Sequence, residues 1–295
     1  MAAAPSRKKS SRVSAAAARS SVKSAKTPIS KKPVAKAKPA PAPKAAVKAA
    51  SKPAPKSIPA ARPPKPIEFY YWPTPNGWKV SIMLEECGIP YETKTVNIGR
   101  GEQFLPDYLK ISPNSRIPAI VDQDGPGGKA ISVFESGAIL QYLGRKTGKF
   151  YPADERARVE VDEWLFWQVA GLGPMVGQAN HFRQFAPESI PYAIERYTHE
   201  VARLYAVMDR RLTGRDYLAG KYSVADMACY GWIVPHQQQG INLANYPGVK
   251  AWFERMGERP GVQRGIAVGR DIRSAPIDLR SAQDSRRVLM NQKPR

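Results

Sequence analysis

The segment Tyr71-Trp72-Pro73-Thr74-Pro75-Asn76-Gly77 decides how this 295-residue chain is read. Just upstream, residues 67–72 have the β-branched and aromatic content of a strand. Downstream, Val80, Met83, Leu84 and Cys87 recur at steps of three and four, so residues 77–87 form a helix closed by Gly88 and Pro90. Thr74 and Asn76 therefore sit on the turn from a first strand into a first helix. Two readings of them stand. Both residue types commonly cap a helix. A thiol brought to the same turn would also meet unsatisfied N–H groups and the positive end of the helix dipole, which favour thiolate. A free thiol titrates at ~8.5, so a modest shift enriches the nucleophile at neutral pH.

Working outward, residues 91–97 read as a second strand. A strand, helix and strand within ~30 residues form a βαβ unit, with parallel pairing and a right-handed crossover. A loop and short helix over 103–110 precede a strand over 117–121. The turn Asp124-Gly125-Pro126-Gly127-Gly128 then leads to a strand ending at Phe134, an antiparallel hairpin. A helix over 135–146 ends at Gly148. This order, βαβ, then α, then ββα, resembles a thioredoxin-like domain. Beyond Pro152 the pattern is helical. Ile194, Tyr197, Val201, Leu204, Met208 and Leu212 mark one amphipathic face over 192–212. Ser223-Val224-Ala225-Asp226 before an apolar run reads as a capping box, assigned to folding.

Charge is unevenly placed. Residues 1–66 hold 17 Lys and Arg with no acidic residue, while the rest holds 29 basic and 25 acidic residues. The tail is Ala, Lys, Pro, Ser and Arg with almost no large apolar side chains, so disorder is its expected state. It reads as a solubilising spacer, as a transit peptide, or as a non-specific nucleic-acid contact through phosphate neutralisation. Its composition resembles linker-histone and bacterial nucleoid-protein tails.

Cys87 and Cys229 form no CxxC pair, which excludes a disulfide scaffold and a Cys-based zinc site and suits a reducing cytoplasm. Both fall within apolar helical patterns and read as structural thiols. His181, His199 and His236 show no metal-ligand spacing, so no metal is expected. No apolar run approaches ~18 residues, and no secretory signal is expected. The expected organisation is a basic tail over 1–66, a thioredoxin-like domain over 67–150, an all-helical domain over 151–270 and a basic extension over 271–295.

Three motifs in order carry a family resemblance. They are the Thr74-Pro75-Asn76-Gly77 segment, Ser112-Pro113-Asn114-Ser115-Arg116-Ile117-Pro118-Ala119-Ile120, and Phe134-Glu135-Ser136-Gly137-Ala138-Ile139. Together they resemble a glutathione transferase N-terminal domain. Three further segments resemble the nu class of bacterial glutathione transferases and its yeast prion-related relatives. These are Gly101-Glu102-Gln103-Phe104, Glu163-Trp164-Leu165-Phe166-Trp167 with Gly173-Pro174-Met175, and Pro191-Tyr192-Ala193-Ile194-Glu195-Arg196-Tyr197.

The resemblance implies a thioredoxin-like domain followed by an all-helical domain, a homodimer, and glutathione as co-substrate. It also implies disulfide reduction, peroxide reduction and weaker conjugation, with one oxidised or two reduced glutathiones per site and no redox cysteine from the protein. Position by position, it sets Thr74 and Asn76 against the glutathione sulfur. Gln103, Arg116, Ile117, Glu135 and Ser136 hold the first glutathione, with Ile117-Pro118 at the family's cis-proline position. Arg196 faces a glutathione carboxylate, across the dimer interface. Gln178, Asn180 and His181 line an outer site, although a lone histidine at a helix end also fits a structural role. A different reading keeps the fold without the catalysis: a dimer that presents two basic tails to nucleic acid, nucleoid-associated in the cytoplasm.

Overall fold

The computed structural model describes residues 65–274; the tail to residue 64, with its expected disorder and nucleic-acid contact, and the chain beyond 274 lie outside that range. β1 (Ile67–Tyr71) buries Ile67, Phe69 and Tyr71 on one face, the period-two pattern of a strand. α1 (Pro75–Cys87) follows, and β2 (Tyr91–Thr95) returns parallel to β1, completing the βαβ unit. A 3-10 turn (Glu102–Phe104) and α2 (Pro106–Ile111) lead to β3 (Ala119–Asp122), which pairs antiparallel with β4 (Ile131–Phe134). The sheet order is β2-β1-β3-β4, with β3 antiparallel to β1. α3 (Ser136–Thr147) completes a thioredoxin-like layer.

Among the boundaries that differ from the sequence reading by one or two residues, three starts have local reasons. α1 begins at Pro75, whose fixed φ suits the first helical position. β3 begins at Ala119, because Pro118 has no N–H to give the ladder. α3 begins at Ser136, since Glu135 has φ 67 and cannot continue a right-handed helix.

The second domain is all-helical: α4 (Glu155–Trp167), α5 (Gly173–Asn180), α6 (Pro191–Leu212), α7 (Val224–Ile233), α8 (Pro247–Gly257), α9 (Pro260–Ala267) and α10 (Arg270–Ser274). Single π-helical turns follow α4 (Gln168–Leu172) and α5 (His181–Phe185). α1 joins the two layers. It packs on α3, α7 and α9, which is why Val80, Ile82, Met83 and Leu84 are all fully buried rather than only one stripe.

The capping box at α7 forms as expected, with Ser223 Oγ accepting from Ala225 N and Asp226 Oδ2 accepting from Ser223 N. Asp226 Oδ1 also accepts from Leu218 N and Trp252 Nε1. Burial pushes this carboxyl up to about 6 against the pull of those bonds. On α6, Val201, Leu204, Met208 and Leu212 are buried as the periodicity predicts, and Tyr205 joins them. Ile194 and Tyr197 are only half-buried, because the first turns of α6 are more exposed. No described helix is long and apolar enough to cross a membrane.

Candidate functional site

The turn into α1 is held from both sides. Thr74 is extended (φ −125, ψ 163), and its Oγ1 accepts from Gly77 N at 3.2 Å, so it caps the helix. Asn76 Oδ1 accepts from Trp232 Nε1 on α7 at 3.0 Å. Two glycines permit this approach. A Cβ on Gly77 would lie 2.4 Å from the Trp72 carbonyl oxygen, and one on Gly231 would lie 2.8 Å from that of Pro75. Thr74 and Asn76 are half-buried, and no acidic residue occupies the first turn of α1, so its positive end is not neutralised locally.

The start of α3 is built differently. Glu135 sits at φ 67, ψ 116, a strained conformation for a residue with a side chain, and no side chain caps the helix. Asn114 Nδ2 donates to Glu135 Oε1 at 3.3 Å. Ser136 is buried. The neighbouring loop carries Ile117-Pro118 in cis and the exposed Arg116, whose carbonyl accepts from Tyr108 Oη at 2.6 Å and Ser112 Oγ at 2.9 Å. Gln103 is buried: its Nε2 donates to the Ile98 carbonyl at 3.3 Å, and its Oε1 has no partner among the described residues.

Between the two starts lies Lys79, a residue the sequence reading passed over. It is 2% exposed, and its Nζ donates to Gln168 Oε1 at 2.6 Å and Ser136 Oγ at 3.4 Å.

An outer cleft of about 500 Å³ opens beside the first turn of α1, within the ~300–1,000 Å³ range of small-molecule sites. Gln178, Asn180 and His181 line it together with Pro75, Gly177, Phe185 and Trp232. Asn180 Oδ1 is buried there without a partner among the described residues. Arg196 is not brought to this place. It is exposed and lines a separate concavity of about 700 Å³ with Met175, Tyr192, His199 and Arg203.

Both cysteines are free and buried. Burial pushes the Cys87 thiol up and the Cys229 thiol well up, so neither is a poised nucleophile. No cluster of three or more His, Cys, Asp or Glu suited to a metal ion occurs among the described residues.

Trp232 is the main residue missed by sequence reasoning. It lies 156 positions from Asn76 and carries no local signal, although its ring forms one wall of the cleft. The Gln239 side chain fixes it from behind, donating to the Trp232 carbonyl at 2.7 Å and accepting from Tyr205 Oη at 2.8 Å.

The chain matches the glutathione S-transferase N-terminal domain over residues 74–146 and the glutathione S-transferase C-terminal domain over residues 185–260. The disulfide-bond oxidoreductase YfcG of Escherichia coli (strain K12) is 50% identical over 202 residues, covering 68% of this chain and 94% of that protein. A glutathione transferase from Burkholderia graminis, solved with two glutathione molecules bound per subunit, superposes with a TM-score of 0.66 at 40% identity, covering 71% of this chain and 90% of that one. One from Pseudomonas putida, with one glutathione disulfide bound per subunit, gives 0.66 at 40% identity, covering 71% and 94%.

Proposed function

This chain belongs to the glutathione transferase family, and from that premise we propose that it is a glutathione-dependent disulfide-bond reductase. The observation that supports the reading is a helix start beside a cleft with no protein thiol at it. Asn76 and Thr74 stand at an un-neutralised helix start beside a 500 Å³ cleft, while both protein thiols are buried elsewhere. The thiol must then come from the ligand, as in relatives solved with two glutathiones or one glutathione disulfide per subunit.

In this reading Gln103, Arg116, Ile117, Glu135 and Ser136 hold a first glutathione, and its sulfur meets Thr74 and Asn76. The first thiolate attacks the substrate disulfide, forming a mixed disulfide and releasing one substrate thiolate. A second glutathione thiolate, in the cleft lined by Gln178, Asn180 and His181, attacks the mixed disulfide. Glutathione disulfide leaves together with the other substrate thiolate, and solvent protons neutralise both thiolates. The protein supplies alignment and thiolate stabilisation. In peroxide reduction the same first thiolate takes one peroxide oxygen as the O–O bond breaks, giving a sulfenic acid and an alkoxide, and the second thiolate displaces hydroxide to form glutathione disulfide. In weak conjugation the first thiolate displaces a leaving group from an electrophilic carbon.

Tyr192 (73% exposed) and Phe166 (60% exposed) favour a homodimer in which Arg196 reaches the second subunit's glutathione. A second reading, compatible with the first, rests on the 17 uncompensated cations of residues 1–66: a cytoplasmic protein whose tails contact nucleic acid, nucleoid-associated.

A coupled assay with glutathione and a small dialkyl disulfide tests the enzymatic reading. Turnover by the wild type that collapses in Thr74→Ala/Asn76→Ala supports it. An inactive wild type, or full activity in the double variant, rejects it. For the tail, DNA affinity is compared across a salt series between the full chain and a chain starting at Pro66. A steep salt slope lost on truncation is expected, and equal affinities would remove the tail reading.

A further inference from the structure

A lysine as deeply buried as Lys79 needs a reason, because an ammonium removed from water without a charged partner is costly. Neither of its hydrogen-bond partners carries a charge. Gln168 comes from the π-helical turn after α4, a local irregularity often found at functional sites, and its Nε2 has no partner among the described residues. Ser136 opens α3. Two titratable groups act on the ammonium, Cys229 from α7 and Glu135 from the start of α3, and both favour its charged form. Burial outweighs them and holds the lysine down at about 7.

The geometry around Ser136 gives the lysine a task. A hydroxyl has one hydrogen to donate. When Ser136 Oγ accepts from Lys79, that hydrogen is left for an acceptor other than the lysine, such as a ligand carboxylate at the start of α3. We propose that Lys79 is a positioning residue for glutathione: it orients the Ser136 hydroxyl toward the γ-glutamyl carboxylate and supplies the buried positive charge that this anion neutralises. The inference rests on the glutathione site proposed above. An incoming carboxylate favours the ammonium, so binding takes up protons at neutral and mildly alkaline pH.

The test uses the full chain and S-methylglutathione, whose blocked thiol does not titrate. Calorimetry runs from about pH 6 to about 7.5 in buffers of different ionisation enthalpy, a window below the amine of the ligand and above its carboxylates. The wild type is expected to take up protons and to bind more weakly as the pH rises past about 7. Lys79→Met, an apolar side chain of similar length, is expected to fold, trading the desolvated ammonium for a Gln168 Oε1 left without its donor. It should lose about tenfold or more in affinity, the loss of one charge-assisted contact, and show neither uptake nor pH slope. In turnover the KM for glutathione rises while kcat holds. Lys79→Arg, permanently charged, is expected to recover affinity without the pH slope.

Wild-type binding with no proton uptake overturns the inference, as does unchanged affinity in Lys79→Met. Uptake that persists in Lys79→Met belongs to another group and overturns it too. Should Lys79→Met fail to fold, the slope in Lys79→Arg decides: a slope equal to that of the wild type rejects the role. A wild type that does not bind S-methylglutathione rejects the glutathione site itself, a result distinct from all of these.

Discussion

α1 and α3 both begin at the same edge of the thioredoxin-like layer, yet their first turns are finished in opposite ways. α1 is closed by its own chain, with Thr74 capping it, Pro75 in its first position and Trp232 holding Asn76. α3 is left open, with no side-chain cap, a strained Glu135 and a buried lysine against its first residue. A closed start is relaxed and presents side-chain tips in fixed orientation. An open start keeps unsatisfied N–H donors that a carboxylate can take. Under the proposed function the difference divides the tasks: α1 would orient the reacting sulfur, and α3 would bind the charged end of the ligand.

The largest expected effect comes from adding one methyl to each start. Gly77→Ala drives a Cβ into the Trp72 carbonyl and the Tyr71 ring, and should destabilise the fold by ~3 kcal/mol, the upper range for overpacking. Gly137→Ala, in the first turn of α3, meets only Val169 Cγ2 at 3.1 Å, a contact opposed by the gain of Ala over Gly in a helix, and should change stability by no more than about 1 kcal/mol. Equal losses on chemical denaturation would erase the contrast between a packed and an open start.

Trp232→Phe keeps the ring but removes the donor to Asn76 Oδ1. It should lower kcat about tenfold, through misalignment, with the KM for glutathione little changed. The cap is a smaller matter. Thr74→Ala should cost about 1 kcal/mol of stability and Thr74→Ser almost none, since only the hydroxyl accepts from Gly77 N.

The smallest effect carries the most telling sign. Glu135→Gly relieves a φ of 67 and should raise stability by up to ~1 kcal/mol, while the KM for glutathione increases severalfold. Loss of stability in that variant would show that Glu135 is not held under strain.

Much of this was legible in the sequence, because it is local. The βαβ unit follows from composition and periodicity within 30 residues, and the Ser223 box follows from four adjacent residues. The candidate outer-site residues Gln178, Asn180 and His181 lie within four positions, so one helix end brings them to one cleft. What was illegible is tertiary. Lysine on an amphipathic helix reads as a solvated residue, and only the packing of α3, α7 and α9 around α1 makes Lys79 interior. Trp232 reads as one more core aromatic until α7 is laid against the first turn of α1. Glu135 reads as the first residue of a helix, because strain leaves no mark in composition.

The division between the two starts is tested most directly by steady-state kinetics in glutathione, with Ser136→Ala and Thr74→Ala/Asn76→Ala measured side by side. The expected result is a split. Ser136→Ala raises KM about tenfold with kcat held, and the double variant lowers kcat by about a hundredfold with KM nearly unchanged. The reverse split, or the same loss in both parameters for both variants, would contradict the assignment of binding to α3 and sulfur orientation to α1.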